Sequence, residues 1–386
     1  MIEPGHVPGG GKLTYVMVGG GPGAFIGAVH KAALDMYGLG RLVGGVFSRS
    51  LEKSRERAAQ WGLDKNRVYR DYREMLEAEA GRPERPDFVV IVTPNSTHYP
   101  IAKLALQLGF HVACDKPLCI SVDEAERLVA LVDEKRVEFM VTYTYLGYPL
   151  VRQAREMVRE GILGDIRVAS AEYIQGWLVE DDPGSKQAAW RTDPALSGAA
   201  GAIGDIGTHA ESLFRFITRQ EISSLAANMD TFVPGRRLDD NGFVWFKSDN
   251  GAKGTIWASQ VAMGRENGLS IRIYGSEGAL EWCQEDPNRL IYSPKWEAPR
   301  ILTRGGPGLH PHARRYTHTP SGHPEGYYEA FANLYDGFVQ TILARRQARE
   351  PQPYDVFPDI RDGLLGMKFI HAAVRSNAEG NAWITL

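Results

Sequence analysis

The sequence predicts an α/β half followed by an α+β half, and three observations carry that expectation. Leu13–Val18 is a short apolar run that breaks into Gly19, Gly20, Gly21, Pro22 and Gly23, after which Phe25, Ile26, Val29, Ala32 and Ala33 recur at helical spacing. Strand-like and helix-like stretches then alternate as far as Thr142. Beyond Tyr143, strand-like stretches follow one another directly, with turn signals at Asn250-Gly251 and at Gly275-Ser276-Glu277-Gly278. A doubly wound parallel sheet is therefore expected in residues 1–142, and a largely antiparallel sheet with helices on one face in residues 143–386.

In the first half the strand Leu13–Val18 feeds a glycine loop and a helix. Leu42–Phe47 reads as the second strand, and Glu52–Trp61 as a helix stopped by Gly62. Asp71 with Glu74, and Ser121 with Glu124, have capping-box spacing and open two further helices. Phe88–Thr93 is the near-continuous apolar run expected of a strand covered on both faces. A helix from Thr97 to Leu108 ends at Gly109, and His111–Cys114 and Glu138–Thr142 are read as the fifth and sixth strands of six. In the second half a helix is expected over Pro149–Glu160 and another near Gly204–Ile217. Strands are expected at Ile166–Gln175, Ile222–Phe232, Gly242–Lys247, Gly254–Ser259, Leu269–Tyr274 and Ala279–Trp282.

Composition narrows the function classes. A chain of 386 residues with 43% hydrophobic and 24% charged residues suits about two ordinary globular domains. A net charge of −3 gives no general attraction for nucleic acid or for an anionic membrane, so neither is expected as a partner. Cys114, Cys119 and Cys283 cannot all pair internally, which fits a reducing, cytoplasmic location. The opening MIEPGHVPGGGK has neither a basic n-region nor an apolar h-region and reads as a loose tail rather than a signal peptide.

The glycine loop offers free backbone N–H groups and a helix dipole to a pyrophosphate, with Gly19, Gly21, Gly23, Phe25 and Ile26 as the contacts. At the end of the second strand, Phe47-Ser48-Arg49-Ser50 contains no acid to hold an adenosine ribose. Ser48 and Arg49 suit a 2′-phosphate, so the coenzyme is read as NAD or NADP with a slight lean to NADP. Asp115-Lys116-Pro117 follows a strand directly, at the carboxyl edge where open α/β sheets bind ligands, and a lysine there can hydrogen-bond and polarise a substrate hydroxyl. Asp205 and His209, four apart, share a helix face, where a carboxylate can orient an imidazole for proton abstraction. Gly198, Gly201, Gly204 and Gly207 around them would allow a cofactor ring to approach. Tyr145, Lys186, Trp190, Arg191 and His323 are candidate substrate contacts, with Lys186, Trp190 and Arg191 on a loop. His310, His312, His318 and His323 lack the spacing of a metal site, so no metal is expected, and they read as a mobile loop. Arg236-Arg237 with Asp239-Asp240 reads as a solvated mixed-charge turn.

Taken in order, the Gly19–Gly27 loop with His30, then Thr93-Pro94-Asn95 with His98, then Asp115-Lys116-Pro117, then Asp205-Ile206-Gly207-Thr208-His209 resemble the glucose–fructose oxidoreductase / inositol dehydrogenase (Gfo/Idh/MocA) family over nearly the whole chain. The resemblance implies a Rossmann domain, an open-faced C-terminal sheet, a bound NAD(P) and a catalytic group of Lys116, Asp205 and His209. It places Thr93, Pro94, Asn95 and His98 beside the nicotinamide, with Asp115 and Lys116 also at the coenzyme. Asp115 stands where the family usually has glutamate, the glycine loop is longer than G-x-G-x-x-G, and Tyr143-Thr144-Tyr145 lacks an arginine many relatives carry. The implied activity is hydride transfer between NAD(P) and a secondary hydroxyl of a sugar, cyclitol or related polyol, in a homodimer or homotetramer. Two alternatives stay open on the sequence: a glycosidase- or lyase-type enzyme that oxidises its substrate transiently, and a non-catalytic sugar or nucleotide sensor.

Overall fold

The computed structural model describes residues 13–181 and 184–386, the Lys186 side chain excepted; the amino-terminal tail lies outside them. The first sheet consists of β1 (Leu13–Gly19), β2 (Gly40–Val46), β3 (Phe88–Val92), β4 (His111–Cys114) and β5 (Phe139–Val141), all parallel, in the order β2-β1-β3-β4-β5. The helices between them are α1 (Ile26–Met36), α2 (Leu51–Gln60), α3 (Tyr72–Ala80), α4 (His98–Gln107) and α5 (Val122–Lys135). The strand order reverses at β1, so the glycine loop leaves the sheet at the switch point where such folds bind ligands. Asp71 and Ser121 cap α3 and α5 as expected, each side-chain oxygen accepting from the first-turn N–H groups.

Among the described residues five strands form here, not the six expected. The five stretches named from the sequence are all strands, and no sixth accompanies them, the chain between α2 and α3 making only a one-turn 3₁₀ segment, Lys65–Arg67, and a single bridge from Val68 to Gly45.

The second sheet has nine strands: β6 (Ile166–Ile174), β7 (Ile222–Asp230), β8 (Asn241–Ser248), β9 (Lys253–Ser259), β10 (Gly268–Gly275), β11 (Gly278–Cys283), β12 (Arg289–Pro294), β13 (Arg300–Thr303) and β14 (Ile384–Thr385). Their order is β13-β12-β11-β10-β6-β9-β8-β7-β14, antiparallel throughout except for the β6–β9 pair. β12 and the two edge strands, β13 and β14, have no counterpart in the sequence reading. Further helices are α6 (Pro149–Arg159), α7 (Lys186–Arg191), α8 (Pro194–Ser197), α9 (Thr208–Thr218), α10 (Pro311–Arg314), α11 (Tyr327–Arg346) and α12 (Ile360–Ala378). Every residue of α9 is buried, and the helix packs on β6, β9 and β10. The opposite face of the sheet exposes Val168, Phe243, Trp245 and Tyr274.

The described residues fall into two compact units, one reaching Thr144 and including Phe331–Leu364, the other Tyr145–Ala330 with Leu365–Leu386. A single cut at residue 142 therefore misplaces most of α11. That segment belongs to the first unit because Tyr335 and Phe338 pack on Phe88 of β3, and Gly363 meets Val141 and Leu118.

Candidate active site

In the first unit the glycine loop is built around close approaches. Gly19, Gly20 and Gly23 have φ of +102°, +78° and +79°, conformations that side chains resist. A Cβ on Gly21 would lie 2.4 Å from the Phe47 carbonyl oxygen, and one on Gly27 would lie 2.4 Å from the Gly20 Cα. Gly27 therefore closes the helix onto the strand despite the long spacing. Phe25 precedes α1 without a side-chain cap and is exposed, and Ile26 opens the helix, so the first N–H groups of α1 are left for a ligand. The cradle a Cβ would fill, the switch-point position and the uncapped helix all fit a dinucleotide pyrophosphate.

Gly20 and Gly27 complete the loop read from the sequence, and Arg57 is a site-building residue that the sequence reading did not single out. Arg57 of α2 donates from Nη2 to the Gly21 carbonyl at 2.9 Å. Nothing local in the sequence ties that arginine to the loop. At the end of β2, Ser48 is held by Ser54, whose Oγ accepts its N–H at 2.9 Å, and Arg49 is exposed.

At the end of β3, Thr93 Oγ1 accepts from Thr97 Oγ1 at 2.7 Å, Pro94 precedes a 3₁₀ turn, and Asn95 is buried. His98 is fully buried, with Nδ1 2.9 Å from the Pro117 carbonyl oxygen and Nε2 2.7 Å from the Thr93 carbonyl oxygen. Burial holds its pKa below the ordinary value. Its ring thus lies between two backbone segments. At the end of β4, Asp115 accepts from Thr142 Oγ1 at 2.7 Å and lies 3.1 Å from His30 Nε2. Burial works to raise the Asp115 pKa, but His30 and the Thr142 hydroxyl outweigh it and hold the carboxyl below the usual range. Lys116 follows, half-buried, joined to Pro117 by a cis peptide.

In the second unit, Ile203–Gly207 forms a π-helical turn that runs directly into α9, so Asp205 and His209 stand on either side of the change in pitch. Both are buried. Asp205 Oδ2 accepts from Arg191 Nε at 3.0 Å and from Gln260 Nε2 at 2.9 Å. The His209 ring lies edge-on to Tyr145 at 4.8 Å between centroids and tilted against Tyr173 at 5.7 Å. Tyr145 and Tyr173 share a short hydroxyl contact, Tyr173 donates to Asn267 Oδ1 at 2.6 Å, and Asn267 Nδ2 donates to the Tyr145 hydroxyl at 3.3 Å. The three close a ring of donors and acceptors. Burial pushes both phenols above their ordinary pKa, so they act as neutral hydroxyls.

Several expectations are corrected here. Trp190 and Arg191 sit on helix α7, not on a loop, and the backbone of Lys186 begins that helix; the Lys186 side chain lies outside the described residues. Arg191 donates from Nε to Asp205 and from Nη1 to Gln187, and stacks over Trp190 at 4.3 Å and Trp177 at 5.7 Å. Gly201 serves backbone packing: a Cβ on it would lie 2.0 Å from the Asp239 carbonyl oxygen. Asp239 and Asp240 are buried rather than solvated. Asp239 accepts the Gly201 N–H at 2.5 Å and the Ile203 N–H at 2.8 Å, anchoring the start of the turn that carries Asp205. Asp240 accepts the N–H groups of Phe232 and Val233.

The histidine segment is a tied loop. Buried Arg304 donates to Glu325 Oε1 at 2.8 Å and to the His323 carbonyl, and Glu325 also accepts the His318 and Thr319 N–H groups; the His323 side chain remains exposed. His310 caps α10, taking the His312 N–H at 3.1 Å. Glu156, His310 and His312 offer donor atoms within 4.8 Å of one another, a set capable of holding a metal ion that sequence spacing did not disclose. Arg159 Nε already donates to Glu156 Oε2 at 2.7 Å.

This architecture, a glycine cradle at a parallel-sheet switch point and a histidine–carboxylate helix in a second α+β unit, defines a two-domain nucleotide-dependent oxidoreductase. Residues 13–143 match the family profile "Oxidoreductase family, NAD-binding Rossmann fold", and residues 151–281 match "GFO/IDH/MocA C-terminal domain". The chain belongs to the Gfo/Idh/MocA oxidoreductase family. It is 36% identical to the uncharacterized oxidoreductase YfiI of Bacillus subtilis (strain 168), over 96% of both chains. It is 34% identical to an inositol dehydrogenase homolog of Azotobacter vinelandii, solved with NADH and myo-inositol, covering 97% of this chain and 98% of that one with a TM-score of 0.90. Levoglucosan dehydrogenase of Pseudarthrobacter phenanthrenivorans is 29% identical over 72% of this chain and 75% of its own length.

Proposed function

We propose that the protein is an NAD(P)-dependent dehydrogenase acting on a secondary hydroxyl of a cyclitol, sugar or related polyol, with Lys116, Asp205 and His209 as its catalytic group. The reading is carried by two observations: His209 lies against Tyr145 and Tyr173, neutral groups joined with Asn267 in one hydrogen-bonded ring, and four residues before it Asp205 is a carboxylate locked by Arg191 and Gln260. Such a lining suits a neutral, polyhydroxylated compound. The relatives complexed with or named for myo-inositol and levoglucosan support the same substrate class.

When bound, the nicotinamide supplies the acceptor for a hydride from the carbinol carbon. His209 takes the hydroxyl proton on its imidazole, and the Lys116 ammonium hydrogen-bonds the same oxygen and stabilises the charge that develops there. Asp205, its Oδ2 fixed, orients a neighbouring substrate hydroxyl. The exposed Arg49 and the lack of an acid beside Ser48 favour NADP, while the Azotobacter relative was solved with NADH. The exposed aromatic face of the nine-stranded sheet favours a homodimer or homotetramer. No described helix is long and apolar enough to cross a membrane, and a cytoplasmic enzyme is the reading we adopt.

The test is reduction of NAD+ and NADP+, followed by absorbance, across a panel of cyclitols, aldoses, anhydrosugars and sugar acids. Steady turnover with a neutral polyol, lowered by orders of magnitude in His209→Ala and Lys116→Ala while coenzyme still binds, supports the reading. Absence of turnover with the whole panel overturns it, and substrate cleavage without net reduced coenzyme redirects it to transient oxidation.

A further inference from the structure

His30 is fully buried on α1, where an imidazole is costly unless both ring nitrogens are satisfied. Both are. Nε2 lies 3.1 Å from Asp115 Oδ1, and Nδ1 lies 2.5 Å from the Tyr335 hydroxyl. A carboxylate only accepts, so Nε2–H donates to Asp115, while Nδ1 is bonded to the Tyr335 hydroxyl. Phe331 and Tyr335, both on α11, hold the ring at centroid distances of 4.9 and 5.7 Å. Thr142, just past β5, donates to the same Asp115 oxygen at 2.7 Å. The Asp115 N–H donates to the Ile91 carbonyl at 2.9 Å, so backbone and side chain are both held.

Lys116 is the next residue, and the one after it is held too, because the Pro117 carbonyl faces Nδ1 of buried His98 at 2.9 Å. Two buried histidines from two different helices thus bracket one half-exposed lysine. A lysine side chain has four rotatable bonds, so the aim of its ammonium depends heavily on where its Cα is fixed.

We infer that His30 is a positioning residue for Lys116, acting through the Asp115 carboxylate, with His98 fixing the other side of the same turn through the Pro117 carbonyl. The inference rests on the catalytic reading of Lys116. It also gives Asp115 a task distinct from touching coenzyme: at this position it is reached at once from α1 and from the end of β5.

The test is a mutant cycle on turnover. His30→Leu keeps an apolar filling and removes both hydrogen bonds, and should lower kcat on the order of 10- to 100-fold while coenzyme affinity stays within about threefold. His30→Gln offers a donor and an acceptor and should recover most of the loss. In a Lys116→Met background, His30→Leu should lower kcat no further, because the group it positions is gone. An equal further loss in that background would mean His30 acts elsewhere and would overturn the proposal, as would full kcat in His30→Leu. If His30→Leu does not fold, Tyr335→Phe, which removes one hydroxyl, takes its place in the same cycle, expected to lose severalfold in kcat alone and nothing in the Lys116→Met background. Unchanged turnover in Lys116→Met by itself would sink the catalytic reading rather than the clamp, so the two failures are distinguishable.

Discussion

Arg191 Nε donates to Asp205 Oδ2 at 3.0 Å, and this bond defines what Asp205 can do. A carboxylate with one oxygen committed to Arg191 and Gln260 is held in a single orientation, and the guanidinium balances its charge. Arg191→Met should therefore lower kcat/KM for the polyol by about tenfold or more through loss of orientation, mostly in kcat. Coenzyme affinity, measured by NADH fluorescence titration, should stay unchanged. An equal loss of coenzyme affinity would place Arg191 elsewhere in the mechanism.

The glycine cradle makes a different prediction. Gly21→Ala places a methyl group 2.4 Å from the Phe47 carbonyl oxygen, a backbone atom that cannot move aside cheaply. The loop must shift, and coenzyme affinity should fall by at least about tenfold, while the hydrogen bonds of Asp205 in the second unit are not touched by the change. Titration of NADH fluorescence against wild type checks it, with circular dichroism confirming that the fold survives.

What could be read from the sequence follows from range. The glycine loop, Asp115-Lys116-Pro117 and Asp205 with His209 are each local patterns, and each sits at an element end where its spacing puts it. The alternation of strands and helices placed the first sheet and the succession of strands most of the second, although six strands were counted in the first half where the stretches named there amount to five. The misses are long-range. Asp239 grips the Gly201 N–H across 38 residues, and His30 meets Tyr335 across 305, so no periodicity could reveal either. A mixed-charge stretch such as Arg236–Asp240 looks solvated by composition, and only the fold shows its carboxylates turned inward onto backbone donors. β12 joins the sheet on β11, and the edge strand β13 joins it on β12, pairings that no local signal announces.

Coenzyme choice should hinge on Arg49. It is exposed at the end of β2, and the neighbouring Ser48 is fastened to Ser54. Arg49→Ala should raise the KM for NADP+ by about tenfold and leave the KM for NAD+ nearly unchanged, since only the former carries a 2′-phosphate for a guanidinium to hold. Steady-state kinetics with both coenzymes decides it, and equal effects on the two would remove Arg49 from coenzyme selection.

Chelation should leave the enzyme intact. Glu156, His310 and His312 could jointly hold an ion, but Arg159 supplies a positive charge to the same carboxylate oxygen, and the His310 ring nitrogen already caps α10. Dialysis against EDTA should shift neither Tm nor turnover. A drop in Tm restored by zinc, and abolished in His312→Ala, would show that these three residues bind a metal and that Arg159 gives way to it.

Asp239 sets a pH dependence of stability whose sign can be worked out. Burial raises its pKa from 3.8 to about 6, against the pull of the Ile203 and Gly201 N–H groups. The folded chain therefore holds this proton more tightly than the unfolded one. The resulting stabilisation is complete below about pH 4, falls as pH rises toward about 6, and is absent above it. A gap of about two pKa units corresponds to roughly 3 kcal/mol. Asp239→Asn keeps one acceptor for the backbone and cannot titrate. Relative to that variant, the wild-type protein should be more stable near about pH 4 than near about pH 7 by an amount of that order, read from urea unfolding at each pH. A difference that stays flat across this range would mean the carboxylate is ionised throughout, its two backbone donors prevailing over burial.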